Sequence, residues 1–352
     1  MRILRWLLLA LIGTAITLST LYVYFIHISG PNEPEISGEL LSQTMEFDGR
    51  QRSYHLYLPK KLSSNPALIL VMHGSMSKGL HMRGITAYGF ETLAEEEGFI
   101  VVYPDGFERH WNDCRASAKY SANTLDINDV GFLSELVLQL QGEYGVDSSK
   151  IFATGLSNGG HMSYRLALEA PELVRAIAPM AASMPEDTNL GCRKSGTPMN
   201  VAIFNGTEDP VNPYHGGVVE ILGDRSRGAV LSSQATMEYW LSLMSGAHAE
   251  RVNEQVEQPL VVTRKQLPEV DGDPVTTIDV QIWKGKYQVR LYTMRGSGHV
   301  VPSRFVRYGA FFGGAAGDVE AADVVWSFFM DVMSNNDVVL ADEKVIVSQA
   351  NL

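Results

Sequence analysis

Gly155-Leu156-Ser157-Asn158-Gly159 sets one serine between glycines, directly after the apolar run Ile151–Thr154 and before a stretch of helical periodicity. Strand, tight turn and helix in this order make a nucleophile elbow, which lifts a serine hydroxyl clear of the sheet edge. The glycines are required because a β-carbon at either flank would collide with neighbouring elements. The Asn158 N–H then lies at a helix N-terminus, where unpaired donors can meet a developing oxyanion. G-x-S-x-G also arises by chance in a chain with 32 glycines. The flanking strand and helix are what favour chemistry here.

A serine hydroxyl is a weak nucleophile and needs a base that is itself oriented by a carboxylate. In this topology the acid and the histidine follow the serine, each after a later strand. The run Met199–Phe204 leads into Asn205-Gly206-Thr207-Glu208-Asp209, so Asp209 is the expected acid, with Glu208 its nearest rival. Asn205-Gly206-Thr207 matches a glycosylation sequon, but reads better as turn chemistry. Of nine histidines, His299 is the one placed after the final strand, behind Gly296-Ser297-Gly298; His110, His161 and His248 are less suitably placed. A second oxyanion donor is expected from the loop after an early strand. Ser75 in His73-Gly74-Ser75 fits, within one residue either way, and His73 is expected to brace that loop. Such chemistry needs no metal or organic cofactor. His110 and Cys114 are four residues apart, but no further Cys or His joins them as a metal site.

These residues need a scaffold that gathers loop ends on one edge. Short apolar runs at Ala67–Met72, Phe99–Tyr103, Ile151–Thr154, Ala176–Met180, Met199–Phe204 and Gln288–Thr293 read as buried strands. Helical stretches at Ala87–Glu97, Val130–Tyr144, Gly160–Ala170 and Ala229–Ser245 separate them. Alternation of this kind predicts an α/β fold, a mainly parallel sheet with helices on both faces. The runs Gln43–Phe47 and Arg52–Leu58 around Asp48-Gly49 add an N-terminal antiparallel hairpin. The polar stretch Arg251–Lys286 reads as a surface excursion between the last helix and the last strand. The expected organisation is an N-terminal segment 1–30, a linker 31–42, a catalytic domain 43–335 and a tail 336–352.

The N-terminal segment differs from the rest. Trp6–Ile28 holds 23 residues without Asp, Glu, Lys or Arg, preceded by Arg2 and Arg5. At ~1.5 Å per residue it is long enough to cross a bilayer. The basic flank keeps the N-terminus cytoplasmic and sends the remainder across. A cleaved signal peptide is the competing reading, with weak support from Gly13-Thr14-Ala15. Either reading puts the globular part outside the cytoplasm, periplasmic or secreted. There the two cysteines, Cys114 and Cys192, could close one bridge; two separate buried thiols are the alternative. A formal charge of −12 argues against a nucleic-acid partner.

Taken together, these motifs resemble the extracellular esterase family of polyhydroxybutyrate depolymerase-like and feruloyl esterase-like enzymes, which have the α/β-hydrolase fold. The matching stretches are His73-Gly74, Tyr103-Pro104-Asp105-Gly106 with Trp111-Asn112, and Asp129-Val130-Gly131-Phe132. They continue with the elbow and Met162, Asn205 to Asp209 with Tyr214 and Gly216-Gly217, and Gly296 to His299 with Pro302. The resemblance implies Ser157, Asp209 and His299 as a catalytic triad acting on a small or oligomeric ester. It implies Trp111, Asn112 and Tyr214 near the substrate, although Trp111 could equally be packing. Asp129 is expected to cap the helix that follows it. Val300-Val301 stand where the family often has an aromatic, which argues against insoluble polymer as substrate. A peptidase or acyltransferase on the same fold, and a membrane-anchored binding protein with a dead triad, are the alternative functions.

Overall fold

A computed structural model describes residues 2–249, 260–261, 265–266, 277–315, 317 and 319–334. Its central sheet is built from β1 (Glu39–Phe47), β2 (Arg50–Leu58), β3 (Leu68–Met72), β4 (Ile100–Pro104), β5 (Ile151–Leu156), β6 (Ala176–Met180), β7 (Asn200–Gly206), β8 (Thr277–Lys284) and β9 (Gln288–Arg295). Across the sheet the order is β8, β9, β7, β6, β5, β3, β4, β2, β1, with the short strands Leu260–Val261 and Lys265–Gln266 paired to the outer side of β8. Pairing is parallel from β9 through to β4. It is antiparallel at both margins, between β8 and β9 and from β4 through β2 to β1. This is the α/β-hydrolase fold.

The apolar runs lack alternation because both faces are covered, and their side chains sort onto two cores. Leu68, Leu70, Met72, Ile151, Ala153, Val201, Ile203 and Leu291 face one side. There they meet α4 (Asp129–Tyr144), α5 (Asn158–Glu169) and α6 (Ser233–Ala249). Ile69, Val71, Phe152, Ala178, Ala202, Phe204 and Met294 face the other side. The helices on that side are α2 (Gly79–Ile85), α3 (Gly89–Glu97) and α7, residues 321–334.

Several features differ from the sequence reading. Residues 277–284, expected within a polar excursion, form β8, which pairs along its whole length with β9. Ile278 and Val280 are buried while Asp279 is partly exposed. Only one face of β8 meets the core, so its residues alternate and half of them are polar. The rest of the excursion is described only at Leu260–Val261 and Lys265–Gln266, which pair antiparallel with β8, and the tail 336–352 lies outside the described residues. Helix α7 was not anticipated, although Ala322, Val325, Phe329 and Val332 recur at helical spacing and are buried. Helix α6 starts at Ser233 rather than Ala229, because Ala229–Val230 pairs with Gly217–Val218 and the Ser232 Oγ accepts the Ala235 N–H at 3.0 Å. The expected linker is built into the fold: Ser37 donates to Glu95, and β1 starts at Glu39.

Parallel neighbours send their following loops to the same edge. The loops after β3, β5, β7 and β9 therefore meet above the sheet. The chain passes from β3 to β4 on one side and returns to β5 on the other, the crevice position where open α/β sheets bind ligands.

Candidate active site

Ser157 takes φ 56° and ψ −115°, a backbone conformation unusual for a side chain other than glycine. Its N–H is held by the Met180 carbonyl at 2.8 Å, from the adjacent strand β6. A β-carbon on Gly155 would lie 2.6 Å from the Gly159 carbonyl carbon and 2.7 Å from the Met72 carbonyl oxygen. One on Gly160 would lie 2.9 Å from the Ala182 β-carbon. The small residues are thus imposed by the approach of three backbone segments. Strain at Ser157 is held because both flanks of the turn are packed.

His299 and Asp209 come together from loops after β9 and β7. The His299 Nδ1 lies 2.8 Å from Asp209 Oδ2. The other carboxylate oxygen accepts the Val211 and Asn212 N–H groups, each at 2.8 Å. A carboxylate only accepts, so Nδ1 carries the proton and Nε2 is left with a lone pair. The two loops also clasp each other: Glu208 N–H donates to the Ser297 carbonyl at 2.9 Å, and Gly296 N–H to Thr207 Oγ1 at 2.9 Å. Glu208, the rival acid, has an exposed side chain, whereas Asp209 is buried. Asn205 is not in a turn. It lies within β7, one residue before its end, and is buried with its amide bonded to Ala182, Ser183 and Ser233, which leaves no room for a glycan.

The loop after β3 passes directly over the elbow. A β-carbon on Gly74 would lie 3.5 Å from the Ser157 β-carbon. In that loop the Met76 N–H is taken by the Arg109 carbonyl and the Ser77 N–H by the Gly74 carbonyl. Among the described residues, the Ser75 N–H and the Asn158 N–H have no such acceptor. His73 is buried, with Nε2 accepting the Gly106 N–H at 2.9 Å and Nδ1 donating to the Gly74 carbonyl at 2.7 Å. Burial pushes its imidazole down to about 4, against the pull of the Gly74 bond, so it is neutral near pH 7. It braces the loop.

A second brace, not foreseen from sequence, lies under the elbow. The Asn158 side chain accepts the Trp111 N–H at 2.7 Å and donates to the Trp111 carbonyl and to Asp113 Oδ2, at 3.0 and 2.6 Å. Asp113 is also paired with Arg115 and bonded to the Tyr120 hydroxyl. Burial alone would raise the Asp113 carboxyl, but the Arg115 guanidinium holds it at about 2. His161, one helical turn after Ser157, bonds the Ser157 carbonyl through Nδ1 at 2.8 Å. Its buried Nε2 has no partner. Burial first, then the Arg115 charge, push it to about 3, and it lies close enough to His299 to feel its charge. The only sequence signal for this network is the Asp113–Arg115 pair flanking Cys114.

Cys114 is joined to Cys192, with Cα atoms 5.0 Å apart, so the loop that bears the brace is tied to the segment following β6. Trp111 has no exposed surface and donates its indole N–H to the His73 carbonyl at 3.0 Å, which places it in the packing between the two loops. Asn112 is likewise buried, its N–H on Asp129 Oδ2 and its carbonyl on Arg165. Asp129 is not the cap of α4. Asn128 is, accepting the Gly131 N–H at 2.9 Å, while Asp129 pairs with buried Arg52 at 2.6 Å. Tyr214 bonds Thr293 at 2.7 Å and lines, with Glu208, Asp279 and Arg295, a cavity of about 470 Å³ beside the acid and histidine loops.

Sheet order, elbow and acid–histidine pair together define an α/β-hydrolase. The chain belongs to the Esterase family, whose model matches residues 42–258. It is 28% identical over 193 residues to acetylxylan esterase A of Aspergillus awamori, covering 51% of this chain and 57% of that one. It is 29% identical over 205 residues to a protein named probable feruloyl esterase C of Aspergillus niger, covering 54% of this chain and 67% of that one. The chain thus spans little more than half of the first relative's length. The solved structure of acetyl xylan esterase from Aspergillus awamori matches the fold with a TM-score of 0.50 at 22% identity, over 76% of this chain and 96% of that one.

Proposed function

We propose that the chain is a carboxylic ester hydrolase with Ser157 as nucleophile, His299 as general base and Asp209 as the group that orients the imidazole. The observation that carries this is the 2.8 Å His299–Asp209 contact, which fixes the tautomer with Nε2 unprotonated. Ser157 Oγ attacks the ester carbonyl as His299 takes its proton, and Asp209 stabilises the imidazolium that results. The Asn158 and Ser75 amides donate to the oxyanion. His299 then protonates the leaving alcohol, and water releases the acid by the reverse sequence through the same groups.

The substrates proposed are small or soluble acyl esters of the acetylated or feruloylated sugar kind, in keeping with the names of the relatives above. The 22-residue apolar span Leu4–Phe25, of mean hydropathy 1.9 and wholly exposed, is read as an uncleaved membrane anchor that holds the enzyme outside the cytoplasm. A hydrolysis panel on the full chain in detergent tests the activity. It compares short-chain aryl esters, feruloyl esters, acetylated xylan and hydroxybutyrate oligomers. Ester turnover should disappear in Ser157→Ala, along with fluorophosphonate labelling. Near wild-type turnover in that variant would remove the assignment. kcat/KM should also fall on the acid side as the base takes a proton.

A further inference from the structure

Helix α1 (Arg2–Phe25) is followed almost at once by a strand that belongs to the globular fold. Ile28 and Ser29 pair antiparallel with Tyr308 and Arg307. The helix end itself touches the same segment: a β-carbon on Gly309 would lie 2.5 Å from the Phe25 carbonyl oxygen and 2.6 Å from the Ile26 nitrogen. Two further contacts clamp the exit. Gly30 approaches the Gly84 carbonyl, at 2.8 Å for its would-be β-carbon. Glu33 forms an ion pair with Arg83 of α2. Helix and domain are thus joined by a clasp, not by a free tether.

This clasp has a consequence for orientation. At ~1.5 Å per residue, the Leu4–Phe25 span is about 33 Å long, close to the ~30 Å hydrocarbon thickness of a bilayer. The outer boundary of the hydrocarbon therefore falls near Phe25. Ile28 is three residues on, at most about 10 Å of extended chain. The headgroup layer is itself roughly 5–7 Å deep on each side. Arg307 and Tyr308, paired to Ser29 and Ile28, and Gly309, touching Phe25, have no room to stand away from the membrane, and Arg304 and Phe305 directly precede them in the chain. Their exposed side chains suit that place. Phe305 is 55% exposed, and Arg304 and Arg307 are exposed on either side of it. Arg304 is shared with Glu320, while Arg307 bonds the Arg304 carbonyl. An exposed aromatic between arginines is the pattern of a side chain seated among headgroups.

We propose that the face formed by Arg304, Phe305 and Arg307 docks on the outer surface of the bilayer, with Phe305 among the lipid headgroups. This rests on the reading of α1 as a membrane anchor. The chain running on from the docked segment holds the histidine loop: His299 N–H donates to the Phe312 carbonyl and Gly298 N–H to the Gly314 carbonyl, at 2.6 and 2.8 Å.

The test uses the full chain reconstituted in vesicles of phosphatidylcholine with one part in five phosphatidylglycerol. Cys114 and Cys192 are bridged, so an added cysteine can be labelled uniquely with bimane. Phe305→Cys and Arg307→Cys report the docked face. Leu138→Cys, exposed on α4 over the opposite face of the sheet, is the control. Headgroup-nitroxide lipid should quench the first two labels at least twofold more than the third. Equal quenching at all three sites, in vesicles that retain the chain through alkaline carbonate washing, would overturn the docking alone. Release of the chain by carbonate would overturn the anchor reading and the docking with it.

Discussion

The Asp209 carboxylate divides its oxygens between His299 and its own loop: Oδ2 takes the imidazole Nδ1–H, and Oδ1 is held by the Val211 and Asn212 amides. Two backbone donors fix the carboxylate before it meets the imidazole, so neither ring orientation nor tautomer has to be selected during catalysis. Asp209→Asn keeps the size but presents an N–H₂ where an acceptor is needed, which favours the wrong tautomer. kcat should fall roughly 10³- to 10⁴-fold while KM changes little. Steady-state kinetics on the purified variant measure this, and a loss below tenfold would show that the imidazole needs no such partner.

The Asn158 side chain is a second point of leverage, because it ties the elbow to Trp111 and Asp113. Asn158→Leu is close in volume but leaves the Trp111 N–H and one Asp113 interaction unsatisfied in a buried place. A stability loss of about 2–4 kcal/mol is expected, read from a urea midpoint. kcat should fall as well, since the same residue shares the turn with Ser157 and carries the amide proposed for the oxyanion.

Acid should destabilise the fold before it protonates ordinary carboxylates. His73 is held at about 4 when folded against an ordinary value of 6.5, so the unfolded chain takes up that proton first. Its contribution is complete above pH 6.5, declines as pH falls and is gone near pH 4. At ~1.4 kcal/mol per unit the loss is roughly 3.5 kcal/mol at most. His161, at about 3, extends the decline in the same direction. Urea midpoints between pH 7.5 and 4 should fall steadily, and the slope should be shallower in His161→Asn. A flat midpoint from 7 to 5 would show that neither imidazole is held neutral.

Breaking the Cys114–Cys192 bridge should loosen the brace under the elbow. The bridge closes a sequence separation of 78 residues. The chain-entropy account gives about 4.5 kcal/mol for a loop of that length, within the usual range of ~2–5. Cys192→Ser should therefore lower Tm by several degrees, and reductant should do the same to the parent chain but not to the variant.

The chemistry was the most legible part of the sequence, for a physical reason. Glycines around Ser157 and before His299 are demanded by backbone segments packed against them, but they stand beside the reacting residues in the chain, so the pattern is written locally. The apolar runs likewise identify strands buried on both faces, because nothing but a covered parallel sheet accepts them. The hairpin around Asp48-Gly49 is legible for the same reason. Less was visible where a residue's role depends on what arrives from elsewhere in the chain. Asp129 looks like a helix cap until Arg52, from β2, reaches it. Trp111 looks equally suited to the cleft until His73 and Asn158 close around it. Strand β8 reads as polar excursion because only its pairing with β9 and the core packed over one face bury its alternate residues.

The sequence by itself therefore determined the reacting residue types, their chain order and the class of sheet that carries them. Tertiary structure decided which carboxylate faces the imidazole, which donors remain free beside Ser157, and where the N-terminal helix joins the domain. Those are matters of distance between segments far apart in the chain. A pattern of residue types can require such partners, but only packing selects them.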